Sequence, residues 1–279
     1  MKTIVTHMSP DLDAIASSWL IHKYFPDWED ANIAFVPAGT TLEKQHPDDD
    51  PDIIHTDTGL GQFDHHQFAD KSLCATRRVF DFLIAKKYIP KYDIEPLARI
   101  VDFVTAIDHF QEVYYHEPTA DVYDFSLNQL IEGLKGSGMN DTKTWERGCE
   151  LLEAQLMVFK RKVNAEQEIK NGFNFQSKWG KSIAFETKNE EVMKYSLKLG
   201  YQLVVRRDPN GGYIRIKTQP IDSIDLTEVY EKIKPIDKKA SWFLHISKHM
   251  LLNGSAKNPE SVPSSLTLKK VIEIIKNIE

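Results

Sequence analysis

Several acids and imidazoles in the N-terminal half have the types and spacing of metal ligands. One group occupies the segment Phe63-Asp64-His65-His66-Gln67. Four further candidates come earlier in the chain: His7, Asp11, Asp13 and Asp57. Carboxylates and imidazoles together can hold two neighbouring divalent cations, and such a pair activates water for attack on phosphorus. The pattern therefore predicts hydrolysis of a phosphate ester or anhydride.

The first of these groups follows a short apolar strand predicted at residues 3–6. His7 lies in the polar loop after it, and Asp11 and Asp13 open a helix predicted at residues 11–24. Acids there lie near the positive end of the helix dipole. Alternatively, Asp11 only caps the helix and Asp13 is a solvated acid of the first turn. This motif alone leaves both interpretations open.

Asp57 is a lone carboxylate at the end of an otherwise apolar strand predicted at residues 52–57. In parallel α/β sheets, ligands bind beyond the carboxyl ends of the strands. A carboxylate at this position can bridge two cations. His55, two residues earlier, is expected to be a hydrogen-bonded strand residue instead.

The elements that must position these residues alternate between strand and helix. Strands are predicted at residues 3–6, 32–37 and 52–57, and helices at residues 11–24, 73–87, 95–108, 121–134 and 142–170. This order predicts an α/β domain over residues 1–170, with a parallel sheet and helices on both faces. After a boundary near residues 171–179, strands at 183–187, 201–207 and 213–218 and helices at 190–199, 226–233 and 266–278 predict a smaller α+β domain over residues 171–279.

Composition narrows the class of protein. A net charge of −6 over 279 residues argues against a broadly basic nucleic-acid-coating surface and suits small anionic substrates. The two cysteines are too few for a disulfide framework, and no apolar run is long enough to span a membrane, so a soluble cytoplasmic protein is expected. Arg206, Arg207 and Arg215 gather with Lys217 late in the chain, where they could meet a phosphate or simply be solvated strand residues.

The acidic and imidazole set, taken in order, resembles the DHH phosphoesterase superfamily, which includes exonucleases, oligoribonucleases, cyclic-dinucleotide phosphodiesterases and family II pyrophosphatases. Phe63-Asp64-His65-His66-Gln67 looks most like the melanocyte-proliferating-gene branch of 3′ to 5′ exoribonucleases. The fourth motif of that branch is an aspartate on a helix, which Asp108 matches better than Asp102.

The resemblance implies a role for each matched residue. One cation would be held by His7, Asp11 and Asp57, and the other by Asp13, Asp57, His65 and Asp108. Asp64 would orient the neighbouring histidine, while His66 would face the substrate phosphate or leaving group. Mixed oxygen and imidazole ligands favour Mn²⁺, with Mg²⁺ as a weaker substitute.

The C-terminal domain departs from the superfamily, because the glycine-rich GGGH segment of its exonucleases is missing. The segments Trp242-Phe243-Leu244-His245 and Leu252-Asn253-Gly254 are similar to a late segment of the melanocyte-proliferating-gene family. His245 and Gly254 are therefore candidates for substrate contact, together with Arg206, Arg207 and Arg215. A hydrogen-bonded strand histidine is the open alternative for His245.

The sequence thus predicts a two-metal phosphodiesterase or phosphohydrolase acting on short single-stranded RNA or small nucleotides, in a chain that could form a homodimer. Two alternatives stay open. One is an inorganic pyrophosphatase or phosphomonoesterase, and the other is a nucleotide-binding sensor without catalysis.

Overall fold

The computed structural model describes residues 1–254, 258 and 260–278. Its contacts divide the chain into two compact units, Met1–Lys160 and Arg161–Glu279. The sequence predicts this division at the end of the long helix Asp141–Lys170. In the structure the division lies inside that helix, after Lys160. The reason is packing, because Ala165 and Ile169 belong to a core cluster with Ile183 and Phe185 of the second unit.

The first unit contains a parallel sheet. Its strands are β1 (Thr3–His7), β2 (Asn32–Val36) and β3 (Ile53–His55), in the order β2-β1-β3. In the register, Thr3 of β1 faces Asn32 on one side and Ile53 on the other. β1 is central, and its Ile4 and Val5 are completely buried. The predicted parallel sheet is confirmed, and its carboxyl edge carries His7 and the residues that follow β3.

Five α-helices accompany this sheet in the described part of the chain. They are α1 (Leu12–Tyr24), α2 (Ala75–Ala85), α3 (Lys91–Asp108), α4 (Leu127–Gly136) and α5 (Asp141–Lys170). α1 is buried along its whole first part, residues 12–21, because it packs within the core cluster that includes Trp19, Leu83, Leu97 and Leu152. A buried α1 gives the acids at its start a rigid support.

One predicted helix is wrong in detail. Residues 121–134 form a 3₁₀ helix at Asp121–Phe125 and then α4, separated by Ser126 in an extended conformation with φ −76° and ψ 159°. Val122 and Phe125 are 69% and 82% exposed, so the first part has no buried face to hold an α-helix.

The second unit has the predicted α+β architecture, and its sheet contains both parallel and antiparallel strand pairs. Its strands are β4 (Phe173–Ser177), β5 (Gly180–Glu186), β6 (Leu203–Arg207), β7 (Ile214–Thr218), β8 (Trp242–Leu244) and β9 (Met250–Asn253), in the order β4-β5-β6-β7-β9-β8. β5 and β6 are parallel and are connected through α6 (Glu191–Lys198), and the other neighbouring pairs are antiparallel. α7 (Thr227–Ile233) and α8 (Leu268–Lys276) complete the unit.

Side chains alternate between the two faces of this sheet. On β6, Leu203 and Val205 join the core cluster that contains residues of α7 and α8, whereas Val204 joins the cluster that contains residues of α6. Neighbouring residues on a strand point to opposite faces. Arg206 and Arg207 therefore belong to different faces. No helix in the described residues is long and apolar enough to cross a membrane.

Candidate metal centre

His7 ends β1 with one ring nitrogen fixed and the other turned toward two carboxylates. Its Nδ1 lies 2.9 Å from the carbonyl oxygen of Met8, which can only accept, so Nδ1 carries a proton. Its Nε2 lies 3.3 Å from Asp57 Oδ2 and 3.8 Å from Asp11 Oδ1. This tautomer leaves Nε2 available as a ligand atom, in the manner of metal-binding histidines.

Asp11 is the N-cap of α1, where its Oδ1 accepts the backbone N–H of Ala14 at 3.0 Å. The capping interpretation is therefore correct for Asp11. Capping does not exclude a role as a metal ligand. The same carboxylate lies with His7 and Asp57 in a group whose potential ligand atoms are all within 4.8 Å of one another.

Asp13 is not a solvated acid, since it is only 1% exposed. Its Oδ2 accepts the backbone N–H of Ala75 at 2.7 Å, and its Oδ1 accepts that of Thr76 at 2.8 Å. These N–H groups belong to the first turn of α2, whose dipole favours a carboxylate there. Backbone N–H groups thus fix the position of Asp13. Sequence reasoning missed these contacts, because every residue type except proline carries an N–H and the donors therefore leave no mark in the sequence.

Asp57 follows β3 in a left-handed backbone conformation, with φ 56°, and is 3% exposed. Its two oxygens face two histidines: Oδ2 lies 3.3 Å from His7 Nε2, and Oδ1 lies 3.5 Å from His65 Nε2. Asp57 Oδ1 has no hydrogen-bond partner among the described residues. The carboxylate therefore connects two groups of potential ligands.

His65 brings three carboxylates together around one nitrogen. Its Nε2 lies 3.5 Å from Asp57 Oδ1, 3.6 Å from Asp108 Oδ2 and 3.7 Å from Asp13 Oδ2. Asp108 ends α3, whereas Asp102 of the same helix pairs with Arg77 and has a side chain that is 70% exposed. The structure thus gathers Asp108, not Asp102, with the other candidates.

Three buried atoms in this group lack hydrogen-bond partners in the part of the chain that the structure describes: His65 Nε2, Asp57 Oδ1 and Asp108 Oδ2. Buried polar atoms without partners are rare, because each one loses its hydration without compensation. A divalent cation bound by nitrogen and carboxylate oxygens would satisfy all three at once. The residues present therefore fit a cation.

Asp64 holds the ring of His66, not that of His65 as the sequence interpretation had it. Asp64 Oδ1 lies 2.6 Å from His66 Nδ1 and accepts the backbone N–H groups of His65 and His66, while Oδ2 accepts that of Leu60. The side chain of His66 is 58% exposed. A cavity of about 370 Å³ lies here, with His66, Asp57 and Asp108 among its lining residues.

His109 is a member of the cluster that sequence reasoning missed. Its Nε2 donates to the carbonyl oxygen of Leu73 at 2.7 Å and lies 3.7 Å from Asp108 Oδ2, while its ring packs edge-on against His65. It therefore connects the end of α3 to the segment that precedes α2. Its place directly after Asp108 in the sequence was the available signal.

The electrostatics of the cluster favour bound protons. Burial raises the pKa of Asp108 to about 6, with a further contribution from the charge of Asp57, although His65 opposes the shift. Burial lowers the pKa of His7, but hydrogen bonds to the neighbouring carboxylates outweigh this effect and raise it to about 11. Burial and repulsion from Asp57 and Asp108 also raise the pKa of Asp13. Protons thus offset the crowded negative charge wherever a cation does not.

Of the three C-terminal arginines, the structure brings only two together. Arg206 and Arg215 both contact the carboxylate of Glu190. Arg207 lies on the opposite face of the sheet, where it pairs with Glu186 and donates from Nε to the carbonyl oxygen of Leu266. Grouping the three was wrong because neighbouring strand residues alternate in direction.

The two remaining candidates have local partners. His245 Nδ1 lies 2.9 Å from Ser247 Oγ, and its ring packs edge-on against Phe243. Gly254 has φ 58°, and a Cβ there would lie 2.5 Å from the Cβ of Ser261. Packing thus explains the glycine, and substrate contact by either residue stays a prediction.

Residues 4–159 match the family model described as ChrB, C-terminal domain, which is more than half of the 279 residues. Every residue of the cluster lies within the matched range. None of the curated proteins matches the chain.

Solved structures with some likeness share little sequence with the chain. An uncharacterized protein from Helicobacter pylori G27 is 13% identical with a TM-score of 0.34, covering 100% of this chain and 98% of that one. RecJ of Thermus thermophilus in complex with Mg²⁺ is 11% identical with a TM-score of 0.30, covering 98% and 54%. An exonuclease RecJ bound to manganese is 9% identical with a TM-score of 0.32, covering 99% and 89%. Likenesses at these scores support no conclusion about activity.

Proposed function

We propose that the chain, which belongs to the ChrB C-terminal domain family through residues 4–159, is a metal-dependent phosphohydrolase of the DHH type. The reason is the buried cluster of acids and imidazoles that lies within that range. One observation carries the proposal. His65 Nε2, Asp57 Oδ1 and Asp108 Oδ2 converge with no hydrogen-bond partners among the described residues. A divalent cation would satisfy this imidazole nitrogen and the two carboxylate oxygens together.

The proposed ligand sets share Asp57. His7, Asp11 and Asp57 would hold one cation, and Asp13, Asp57, His65 and Asp108 would hold the other. The two oxygens of Asp57 support this division, because Oδ2 faces His7 and Oδ1 faces His65. Mn²⁺ is the proposed metal, since it accepts both imidazole and carboxylate, and Mg²⁺ is the weaker substitute.

When bound, the two cations would supply Lewis acidity, lowering the pKa of water from about 15.7 toward neutrality and offsetting charge on the phosphate. The chain's own residues would do the remaining work. Asp64 holds Nδ1 of His66, which leaves Nε2 of this exposed ring to donate a hydrogen bond or a proton to the departing oxygen. The amides of α2 fix Asp13, so that little reorganisation is needed.

The proposed substrates are short single-stranded RNA or small nucleotides, cleaved in the manner of an exonuclease. This part follows from the resemblance to the melanocyte-proliferating-gene branch, which is a different family from the one matched. In the proposed division of labour, the N-terminal unit carries the metals and the C-terminal unit contributes substrate contacts, including His245 and Gly254. A cytoplasmic location and a homodimer belong to the same proposal.

The test is a hydrolysis panel with Mn²⁺ that covers short RNA, short DNA, cyclic dinucleotides, a nucleoside 3′,5′-bisphosphate and pyrophosphate. We expect turnover of short RNA or of a nucleotide, abolished by EDTA and by Asp57→Asn. Asparagine tolerates the left-handed backbone of position 57, so this variant keeps the fold.

Asp102→Asn is the matched control, because Asp102 is an exposed acid on the same helix as Asp108. It should retain full activity. Release of orthophosphate from pyrophosphate alone would favour the pyrophosphatase alternative. Nucleotide binding with no turnover anywhere in the panel would overturn the proposal in favour of a sensor.

A further inference from the structure

Two arginines of the C-terminal unit lie side by side on one face of the sheet. Arg206 of β6 and Arg215 of β7 are paired in the antiparallel register, and directly paired residues project to the same face. Arg206 is only 3% exposed, and the side chain of Arg215 is 21% exposed. Like charges at paired positions repel each other, so this arrangement requires an anion.

The carboxylate of Glu190 contacts both arginines. Glu190 lies just before α6, and its Oε1 is 3.3 Å from Arg206 while its Oε2 is 2.7 Å from Arg215. Arg206 also donates to the carbonyl oxygen of Thr187 at 2.8 Å. The charge of Asp208 also acts on Arg206, but Glu190 is the acid that contacts both guanidinium groups.

Donors also remain in excess. Arg206 Nε is buried and has no acceptor in the described ranges 1–254, 258 and 260–278, and Glu190 is the acceptor of Arg215 there. Arg161 and Lys188 line a cavity of about 440 Å³ together with Glu190 and Glu191, and Glu191 pairs with Lys194. Glu190 is therefore surrounded by several cationic side chains, and the buried Arg206 Nε among them is an unsatisfied donor.

An exposed aromatic ring lies on the same face of the sheet, in the row of paired residues that runs across the strands from Arg215. Arg215 is paired with Leu252 of β9, and Leu252 is paired with Phe243 of β8. Phe243 is 56% exposed. Neighbouring strands are about 4.8 Å apart, so the ring lies about 10 Å along the row from Arg215. A nucleotide whose phosphate contacts the arginines could reach this ring with its base.

We propose that Arg206 and Arg215 form a binding site for the phosphate of a nucleotide, and that the carboxylate of Glu190 occupies the place of that phosphate until a ligand displaces it. The choice of a nucleotide rests on the proposed function, whereas the anion site rests on the two arginines. A phosphate dianion carries more charge than one carboxylate and accepts bidentate bonds from both guanidinium groups. Glu190 is 55% exposed at its side chain and can turn into solvent when displaced.

The test is calorimetric titration of the full chain with AMP and with inorganic phosphate, both in EDTA. EDTA removes divalent cations, so the AMP binding measured here does not require a bound metal. A failure to bind AMP can therefore be distinguished from a failure to hydrolyse the substrates of the panel. Glu190→Gln removes the competing charge and should tighten AMP binding about tenfold. Arg215→Gln should weaken it by tenfold or more. Phe243→Ala should weaken binding of AMP but not of inorganic phosphate.

Glu228→Gln is the matched control, because Glu228 is also shared between two cations, Lys178 and Lys232. It should leave AMP affinity unchanged. Loss of affinity in Arg215→Gln could also result from misfolding of that variant. A gain of affinity in Glu190→Gln cannot arise from misfolding, so the test does not depend on the Arg215 variant alone. Equal AMP affinity in the wild type, Glu190→Gln and Arg215→Gln, or no binding by any of them, overturns the proposal. Equal affinity of the wild type for phosphate and AMP overturns the nucleotide assignment.

Discussion

His65 Nε2 and Asp57 Oδ1 lie 3.5 Å apart in the interior, and neither atom has a hydrogen-bond partner among the residues that the structure describes. The other oxygen of the same carboxylate lies 3.3 Å from His7 Nε2. A histidine from the end of β1 and one from the loop after β3 thus meet at a single aspartate. This relationship motivates the metal proposal, and the first prediction follows from its electrostatics.

Asp108→Asn should change stability in opposite directions with and without Mn²⁺. The folded pKa of Asp108 is about 6, above its ordinary value of 3.8. The protonated acid therefore stabilises the fold below pH 3.8, and this contribution is lost as the pH rises through 6. In EDTA at pH 7.5, the variant should be more stable than the wild type by about 1 to 2 kcal/mol, since a pKa unit corresponds to about 1.4 kcal/mol. At pH 4, the difference should vanish.

With Mn²⁺ at pH 7.5, the order should reverse, because a cation at 100 times its Kd stabilises the wild type by about 2.7 kcal/mol and the variant binds it less well. Thermal unfolding at both pH values, with EDTA or Mn²⁺, measures all four states. An Asp108→Asn variant that is less stable than the wild type in EDTA at pH 7.5 contradicts the raised pKa of Asp108.

His66→Gln should lower kcat by about 10²-fold or more while leaving Mn²⁺ affinity nearly unchanged, because His66 is proposed to act on the leaving group and not to hold a cation. Asp64→Asn should also lower kcat, since it replaces the acceptor that faces His66 Nδ1. Steady-state kinetics and Mn²⁺ titration separate the two effects. His46→Gln, at an exposed histidine, is the control and should behave as the wild type. Loss of Mn²⁺ binding in His66→Gln would instead assign His66 as a ligand.

Two glycines in helices should respond oppositely to alanine. A Cβ at Gly148 of α5 would lie 2.8 Å from a side-chain carbon of Ile15, which is completely buried and cannot move away. Gly148→Ala should therefore cost about 1 to 3 kcal/mol through overpacking. Gly133 of α4 has no atom within 4 Å of a built Cβ, so Gly133→Ala should gain about 0.5 to 1 kcal/mol. Urea unfolding measures both, and equal signs would contradict the packing of α5 on Ile15.

Asp237→Asn should destabilise the C-terminal unit. Burial alone would raise the pKa of Asp237, but hydrogen bonds from Ser264, Trp242 and Ser265 lower it. The charged form thus stabilises the fold above the ordinary pKa of 3.8, and this contribution is lost as the pH falls through the folded pKa. At pH 7 the variant should lose about 2 kcal/mol, as expected for hydrogen bonds to a charged group.

Urea unfolding at pH 7 and in acid provides the measurement for Asp237. The gap between the variant and the wild type should narrow in acid. Asp222→Asn, at an exposed acid of the same unit, should change stability by less than about 0.5 kcal/mol. A gap that widens in acid would contradict the direction of the pKa shift.

The fold was predictable where strands and helices were long enough to show their periodicity. The apolar strands around Val5, Ala34 and Ile54 could be recognised, and so could the hairpin of β6 and β7. β8 and β9 have only three and four residues, too few to show alternation. The division inside α5 could not be predicted, because it depends on which unit covers Ala165 and Ile169.

The candidate site was predictable as a set of residues, since acids and imidazoles of this kind are rare in apolar surroundings. The contacts that hold these residues in place were not predictable. Asp13, for example, is held by the backbone N–H groups of Ala75 and Thr76, which carry no sequence signal. The separation of Arg206 from Arg207 could have been predicted from the period of a strand alone.

Asp57 is held at φ 56°, a conformation that glycine adopts freely and that costs most other residues about 1 to 2 kcal/mol, with a smaller cost for aspartate and asparagine. Position 57 is therefore a place where heat resistance and function compete. Under laboratory selection for thermostability alone, this aspartate should be among the first residues to be replaced by glycine. Under combined selection for turnover, it should persist in every surviving clone, and compensating substitutions should accumulate elsewhere in the N-terminal core.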